Sequence, residues 1–309
     1  MNDLQRYLVS EVATDHVDGL ITRREAMRRL LLMGMTAAAA SSLIAACSDS
    51  KDPNAPPNAP PSDASFDAGL DAGSDATLAT QEITFGPQGN LLGAWAQAAS
   101  PRGAVLVIHE NRGLLDHFRA VATRFASAGY SALALDLLSE EGGTAAVARE
   151  NDGGDAAVTA ALNKVAGENP GRFVTDMRAA LDELARRTPG VKLGAIGFCF
   201  GGGMIWRLVA AKDPRLAAAA PFYGPLPDGA DFTGAVTAVL GVYGALDTRV
   251  NASQSAARTA LEKASLPHEI VTYEGADHAF YNDTGARYNA DAAAKAWAKV
   301  LDWYGQYIG

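Results

Sequence analysis

Leu193-Gly194-Ala195-Ile196-Gly197-Phe198-Cys199-Phe200-Gly201-Gly202 is the stretch that decides the fold. Residues 192–197 read as a strand, beside the continuous apolar run of 104–108, which is of the kind buried on both faces of a parallel sheet. Residues 200–210 carry helical spacing. Between them stands Gly-x-Cys-x-Gly, a strand-to-helix turn with a nucleophile at its apex and glycines where flanking side chains would clash. At the apex the helix dipole favours a thiolate. The amide of Phe200 points to where an oxyanion would develop.

The neighbouring segments repeat the strand–helix alternation. Residues 83–85 and 92–96 read as two strands joined by the Gly86-Pro87-Gln88-Gly89-Asn90 turn. Residues 104–108, 131–135, 217–222, 236–243 and 268–273 read as further strands. Helices are expected at 116–128, 172–187, 252–264 and 291–307, and 137–169 reads as a less regular stretch that shapes the pocket. The expected class is α/β, a mostly parallel, doubly wound sheet with helices on both faces and its site at the carboxyl ends of the strands.

Elbows of this type take their partners in the chain order nucleophile, acid, histidine. The strand-terminal acid after Cys199 is Asp247, in Gly244-Ala245-Leu246-Asp247; Asp228 and Asp231 lie in a Pro/Gly-rich loop. Of the downstream histidines, His268 precedes a strand and His278 follows the last one, where a base that activates the thiol belongs.

Together with Ile108-His109-Glu110-Asn111-Arg112-Gly113-Leu114 and His278-Ala279-Phe280, these motifs make residues 81–309 resemble the dienelactone hydrolase family of the α/β-hydrolase superfamily. The resemblance implies hydrolysis of an ester or lactone, a small-molecule substrate and no cofactor; no metal is expected either. It implies a Cys199–His278–Asp247 triad, with Glu110 touching the thiol and governing its ionisation. It places the oxyanion hole at the backbone amides of Asn111 and Phe200. From the residues alone, an ion pair between Glu110 and Arg112 is an alternative. The family's founding members hold the substrate carboxylate with two arginines. Here those places read Asp136-Leu137-Leu138-Ser139-Glu140-Glu141 and Tyr281-Asn282-Asp283, which leaves Arg112, Arg249 and Tyr281 as substitute substrate contacts. A non-catalytic ligand- or partner-binding envelope module on the same fold is the alternative function; a thiol redox protein is disfavoured because no Cys-x-x-Cys pair exists.

The rest of the chain reads as an address. Arg23-Arg24 precedes an apolar run over 30–46 that ends in Leu43-Ile44-Ala45-Ala46-Cys47, so 1–47 is expected to be a twin-arginine, lipoprotein-type export signal with Cys47 lipidated; ordinary cleavage at small residues beside an incidental Cys47 and an uncleaved membrane anchor are the alternatives. Residues 48–80, rich in Pro, Ala and Asp, are expected to be a disordered tether. The expected location is the periplasm or cell envelope of a bacterium, with membrane contact only through that lipid. The formal charge of -9 argues against nucleic acid as a partner. Cys47 and Cys199 are the two cysteines, too few for a disulfide framework, and a monomer is expected.

Overall fold

The computed structural model describes residues 1–49, 79–150 and 153–309. Most of the expected tether falls outside them. Three helices come first: α1 (Asp3–Val17), α2 (Arg23–Leu32) and α3 (Ala37–Asp49). The body then runs β1 (Gln81–Phe85), β2 (Leu91–Ala96), β3 (Gly103–Ile108), α4 (Asp116–Ser127), β4 (Tyr130–Leu135), a 3-10 turn (Ser139–Glu141), α5 (Thr144–Arg149), α6 (Gly154–Glu168) and α7 (Gly171–Arg187). It continues through β5 (Leu193–Phe198), α8 (Phe200–Ala210), β6 (Leu216–Phe222), β7 (Ala238–Gly244), α9 (Thr248–Asn251), α10 (Gln254–Lys263), β8 (His268–Tyr273) and α11 (Ala290–Tyr307).

The eight strands form one sheet in the order β1-β2-β4-β3-β5-β6-β7-β8. The β1–β2 hairpin and the β2–β4 pair are antiparallel; every other pair is parallel. The connection from β3 to β4 moves toward one edge, and those from β4 to β5 and β5 to β6 move toward the other. Right-handed crossovers therefore put α4 on one face of the sheet and α7 and α8 on the opposite face. Phe125 of α4 packs on Trp297 and Tyr304 of α11, and Phe173 of α7 meets Phe200 of α8 edge to face. Every residue of β3, β4 and β5 is buried, which is why these strands read as unbroken apolar runs rather than alternating ones.

One expectation changes. The 137–169 stretch is not irregular: it contains α5 and the 15-residue α6. The buried Ala156, Val158, Thr159, Leu162, Asn163, Val165 and Ala166 wrap most of the way round α6 because α1 and α2 cover the side away from the body. No polar stripe is left to betray a helix. The packing of the segment ahead of residue 47 is a further finding. The first three helices join the same apolar core as the body, through Leu4, Tyr7, Leu8, Val12, Leu30 and Ile44. The apolar run over 30–46 is split between α2 and α3, and among the described residues no helix is long and apolar enough to cross a membrane.

Asp283 anchors the loop that follows β8. It accepts from His117 Nδ1 at 2.7 Å and from Arg124 Nη2 at 2.5 Å, both on α4. The His117 hydrogen bond, with Arg124 behind it, holds its carboxyl well below the ordinary 3.8 against the opposing effect of partial burial. A carboxyl lowered on folding stabilises above its unfolded pKa and ceases to do so as pH falls through the folded value. Asp283→Asn should cost about 1.5–3 kcal/mol in urea unfolding at pH 7, and the gap to wild type should close as pH drops below about 4.

The close approach of α8 to the sheet gives a second expectation. A Cβ on Gly202 would lie 2.4 Å from the Phe222 carbonyl oxygen and 2.9 Å from Gly224 Cα, both backbone. Gly202→Ala should lower stability by about 1–3 kcal/mol through overpacking. Gly171→Ala, where the nearest atom is 3.8 Å away, should be neutral or stabilising by up to about 1 kcal/mol in the same denaturation series.

Candidate active site

Cys199 sits between β5 and α8 with φ 57° and ψ -117°. This left-handed, sparsely populated conformation costs roughly 1–3 kcal/mol, and it persists because the backbone is held on both sides. Cys199 N donates to Phe222 O at 3.1 Å, and Gly203 N donates to Cys199 O at 3.1 Å. A Cβ on Gly201 would lie 2.5 Å from the carbonyl oxygens of Ile108 and His109, and one on Gly197 would lie 2.3 Å from the Gly201 oxygen. The glycines of the motif thus allow β5, α8 and the end of β3 to meet at the cysteine.

Asp247 follows β7 and caps α9, accepting from Val250 N at 3.1 Å. Its second oxygen lies 2.5 Å from His278 Nδ1. With Nδ1 donating there, Nε2 is left toward the thiol. The Cys199 sulfur, an imidazole nitrogen of His278 and a carboxylate oxygen of Glu11 all lie within 4.8 Å of one another. The structure therefore brings the three sequence-assigned residues together in the expected order, on the ends of β5, β7 and β8. The rival acids do not join them. Asp228 is exposed and pairs with Arg6, Asp231 is exposed beside Lys212 and Lys263, and His268 lies on the edge strand β8.

Other expected residues sit differently. Glu110 makes its hydrogen bonds away from the thiol, accepting from Tyr223 Oη at 3.3 Å and Asn282 Nδ2 at 2.9 Å. Its charge still contributes to raising the thiol pKa. Arg112 pairs with Asp155 at 3.4 Å, not with Glu110. Tyr281 is a core residue, its ring stacked on Phe198 at 5.3 Å, because the aromatic layer beneath the elbow takes it up. Arg249 is half-buried beside the site, and Glu11 already holds its Nη2. Phe200 is buried with its amide at the first turn of α8, where a helix leaves N–H groups without intrahelical acceptors. Asn111 is buried at the end of β3, its carbonyl accepting from Thr159. Cys47 is part-buried on α3, and no disulfide joins it to Cys199.

Sequence reasoning missed the two side chains that lie on the candidate triad. Tyr7 Oη is 3.1 Å from Cys199 Sγ. Glu11 Oε1 is 3.3 Å from His278 Nε2. Both belong to α1, and their signal was available: Leu4, Tyr7, Leu8, Glu11, Val12 and Asp15 recur at helical spacing on one face. Tyr223 and Asn282, which hold Glu110, were missed as well; nothing in their immediate sequence sets them apart.

Electrostatics follow from burial and the two carboxylates. Burial pushes the Cys199 thiol up, the Glu11 charge adds to this, and His278 opposes it. Burial disfavours a charged His278, yet Glu11 and then Asp247 hold its pKa well above the ordinary histidine value. Glu11 lies below its usual range: burial acts against its charge, but Arg249, His278 and Arg287 outweigh it. Cys199, His278 and Glu11 have the donor types and spacing to ligate a cation, but Arg249 already neutralises Glu11, and Asp247 holds the other nitrogen of His278.

The pattern of the dienelactone hydrolase family matches residues 91–308. A protein of Escherichia coli O157:H7 named "Putative carboxymethylenebutenolidase" is 32% identical over 226 residues, covering 69% of this chain and 80% of its own length. Among solved structures, a dienelactone hydrolase-like promiscuous phosphotriesterase from metagenomic libraries superposes with a TM-score of 0.65 at 26% identity, covering 74% of this chain and 98% of that one. A dienelactone hydrolase from Anabaena variabilis has the same fold, with a TM-score of 0.55 at 19% identity over 74% of this chain and 99% of that one. The chain belongs to the dienelactone hydrolase family and is a carboxylic ester or lactone hydrolase of the α/β-hydrolase fold.

Proposed function

We propose that the enzyme cleaves a small ester or lactone through a covalent thioester on Cys199, with His278 as base and then acid and Asp247 as its orienting partner. The observation that carries this reading is the 2.5 Å contact between His278 Nδ1 and Asp247. It fixes the imidazole so that Nε2 is the nitrogen left for the thiol. In the first step the Cys199 sulfur attacks the carbonyl carbon, and its proton passes to Nε2. The oxyanion is held by the amides of Phe200 and Asn111. Collapse breaks the C–O bond, and the leaving alkoxide takes the proton from His278. Water, deprotonated by His278, then attacks the thioester and releases the acid and the thiol. Residues 136–141 and Tyr281 supply no guanidinium where the resemblance places the family's carboxylate clamp, so dienelactone itself is not the substrate we assign.

The test is hydrolysis of p-nitrophenyl acetate by the chain begun at Thr80, an extent close to that of the solved relatives. Cys199→Ala should lose roughly a thousandfold or more of the rate, and Asp247→Asn about a hundredfold to ten-thousandfold, through loss of the correct tautomer. Acyl-enzyme mass should appear on Cys199 in the parent. Equal hydrolysis by parent and Cys199→Ala would end the proposal.

We also propose that the chain is exported by the twin-arginine route and that Cys47 receives lipid. Arg23 and Arg24 are exposed at the start of α2, open to a receptor, and Cys47 is part-exposed on α3. Replacing both arginines by lysine should leave the protein in the cytoplasm by fractionation. Labelled fatty acid should be lost in Cys47→Ala; unchanged labelling would contradict the lipid assignment.

A further inference from the structure

Helix α1 lies where a substrate has to be. Its Tyr7 hydroxyl is 3.1 Å from the Cys199 sulfur and its Glu11 carboxylate is 3.3 Å from His278 Nε2. Attack on a carbonyl needs the carbon about 3–3.5 Å from the sulfur. That position is closed while Tyr7 is there: Cys199 is 2% exposed and His278 3%. The other Glu11 oxygen takes the Arg249 guanidinium, which also lies 4.8 Å over the Tyr7 ring. One helix face thus engages the thiol, the imidazole and the half-buried Arg249 at once.

The seat is specific along the length of the helix. Asn2 Nδ2 donates to Ala166 O at 2.7 Å, Asp3 pairs with Arg207, and Asp15 and Asp18 pair with Arg287. None of this is needed to complete the hydrolase fold. The family match begins at residue 91, and about three quarters of this chain accounts for nearly all of each solved relative. Helix α1 is an addition to a body that is already whole.

We propose that α1 is an intramolecular inhibitor seated in the substrate site, so that the full chain is a latent hydrolase until the segment ahead of Cys47 is withdrawn or removed. This rests on the reading of Cys199 as the hydrolytic nucleophile. Tyr7 blocks the sulfur, and Glu11 occupies the imidazole and Arg249. The cut that would make Cys47 a new N-terminus takes both away.

The experiment compares the full chain, the full-length Tyr7→Ala/Glu11→Ala double variant and the chain begun at Thr80. Two quantities are read: the rate of iodoacetamide alkylation at Cys199, scored by peptide mass so that Cys47 is counted separately, and hydrolysis of p-nitrophenyl acetate. Alkylation at Cys199 should be at least tenfold faster in the double variant and the shortened chain, hydrolysis should rise with it, and a peptide of residues 1–20 should suppress both. Should the shortened chain not fold, the full-length double variant carries the comparison alone. Faster alkylation without any cleavage of p-nitrophenyl acetate supports α1 as the cover of Cys199 and removes the reading of Cys199 as the hydrolytic nucleophile. Equal alkylation in all three proteins, equal hydrolysis by the intact and released forms, or a fall in turnover on release, which would make α1 part of the working site, overturns the inhibitor.

Discussion

The structure depends on the backbone of Cys199 being held at φ 57°. A cysteine does not choose this conformation; its surroundings impose it. The Phe222 carbonyl fixes its amide from one side, and the first turn of α8 fixes its carbonyl from the other. The whole arrangement needs α8 to come within atomic contact of β3 and β6, which only residues lacking a Cβ permit. Once that junction is set, the cysteine stands at the carboxyl edge of the sheet, above a layer in which Phe198 stacks on Tyr281 and tilts against Phe222. Packing, rather than the chemistry of the thiol, decides where the sulfur is.

The charges then follow. Three buried carboxylates, Glu11, Glu110 and Asp247, surround one thiol and one imidazole. Each has its own partner: Arg249 for Glu11, Tyr223 and Asn282 for Glu110, His278 for Asp247. An unpaired buried carboxylate would cost several kcal/mol, so these partners are a condition of folding as well as of chemistry. The role expected of Glu110 changes accordingly. It acts on the thiol through its charge, while its hydrogen bonds tie β3 to the residue after β6 and to the loop that carries His278.

What could be read from the sequence divides along the same physical line. The strands were legible because burial on both faces forces unbroken apolar runs. The elbow was legible because glycine at both flanks answers a steric demand. That Asp247 and His278 would meet beside Cys199 was legible because the strand order brings the loops after β7 and β8 to the same edge. Contacts set by tertiary packing were not. Nothing local tells Tyr281 to face the core rather than the substrate, or Arg249 to meet Glu11, 238 residues away. Helix α6 was hidden because its outer side is covered by other helices. Helix α1 was hidden for a related reason: the apolar face on which Tyr7 and Glu11 stand four residues apart packs on a body about 190 residues and more further along the chain, which no local signal marks.

That face also sets what the proposed release of α1 would cost. Leu4, Tyr7, Leu8, Val9, Val12 and Ala13 are buried, and the larger of them contribute about 1.5–3 kcal/mol each, offset in part by the entropy of ordering 15 residues of helix. The polar ties add selectivity more than strength. Bringing Glu11 and Arg249 out of water offsets much of their mutual attraction, so the pair contributes little net stability while seated. On release both charges regain water at an opened site, and the desolvation cost disappears with the contact. A purely apolar plug would lack this compensation and would expose its whole face on leaving. A charged residue against the imidazole therefore fixes the register of the contact, since Glu11 meets His278 and Arg249 together, while the apolar face supplies most of the hold.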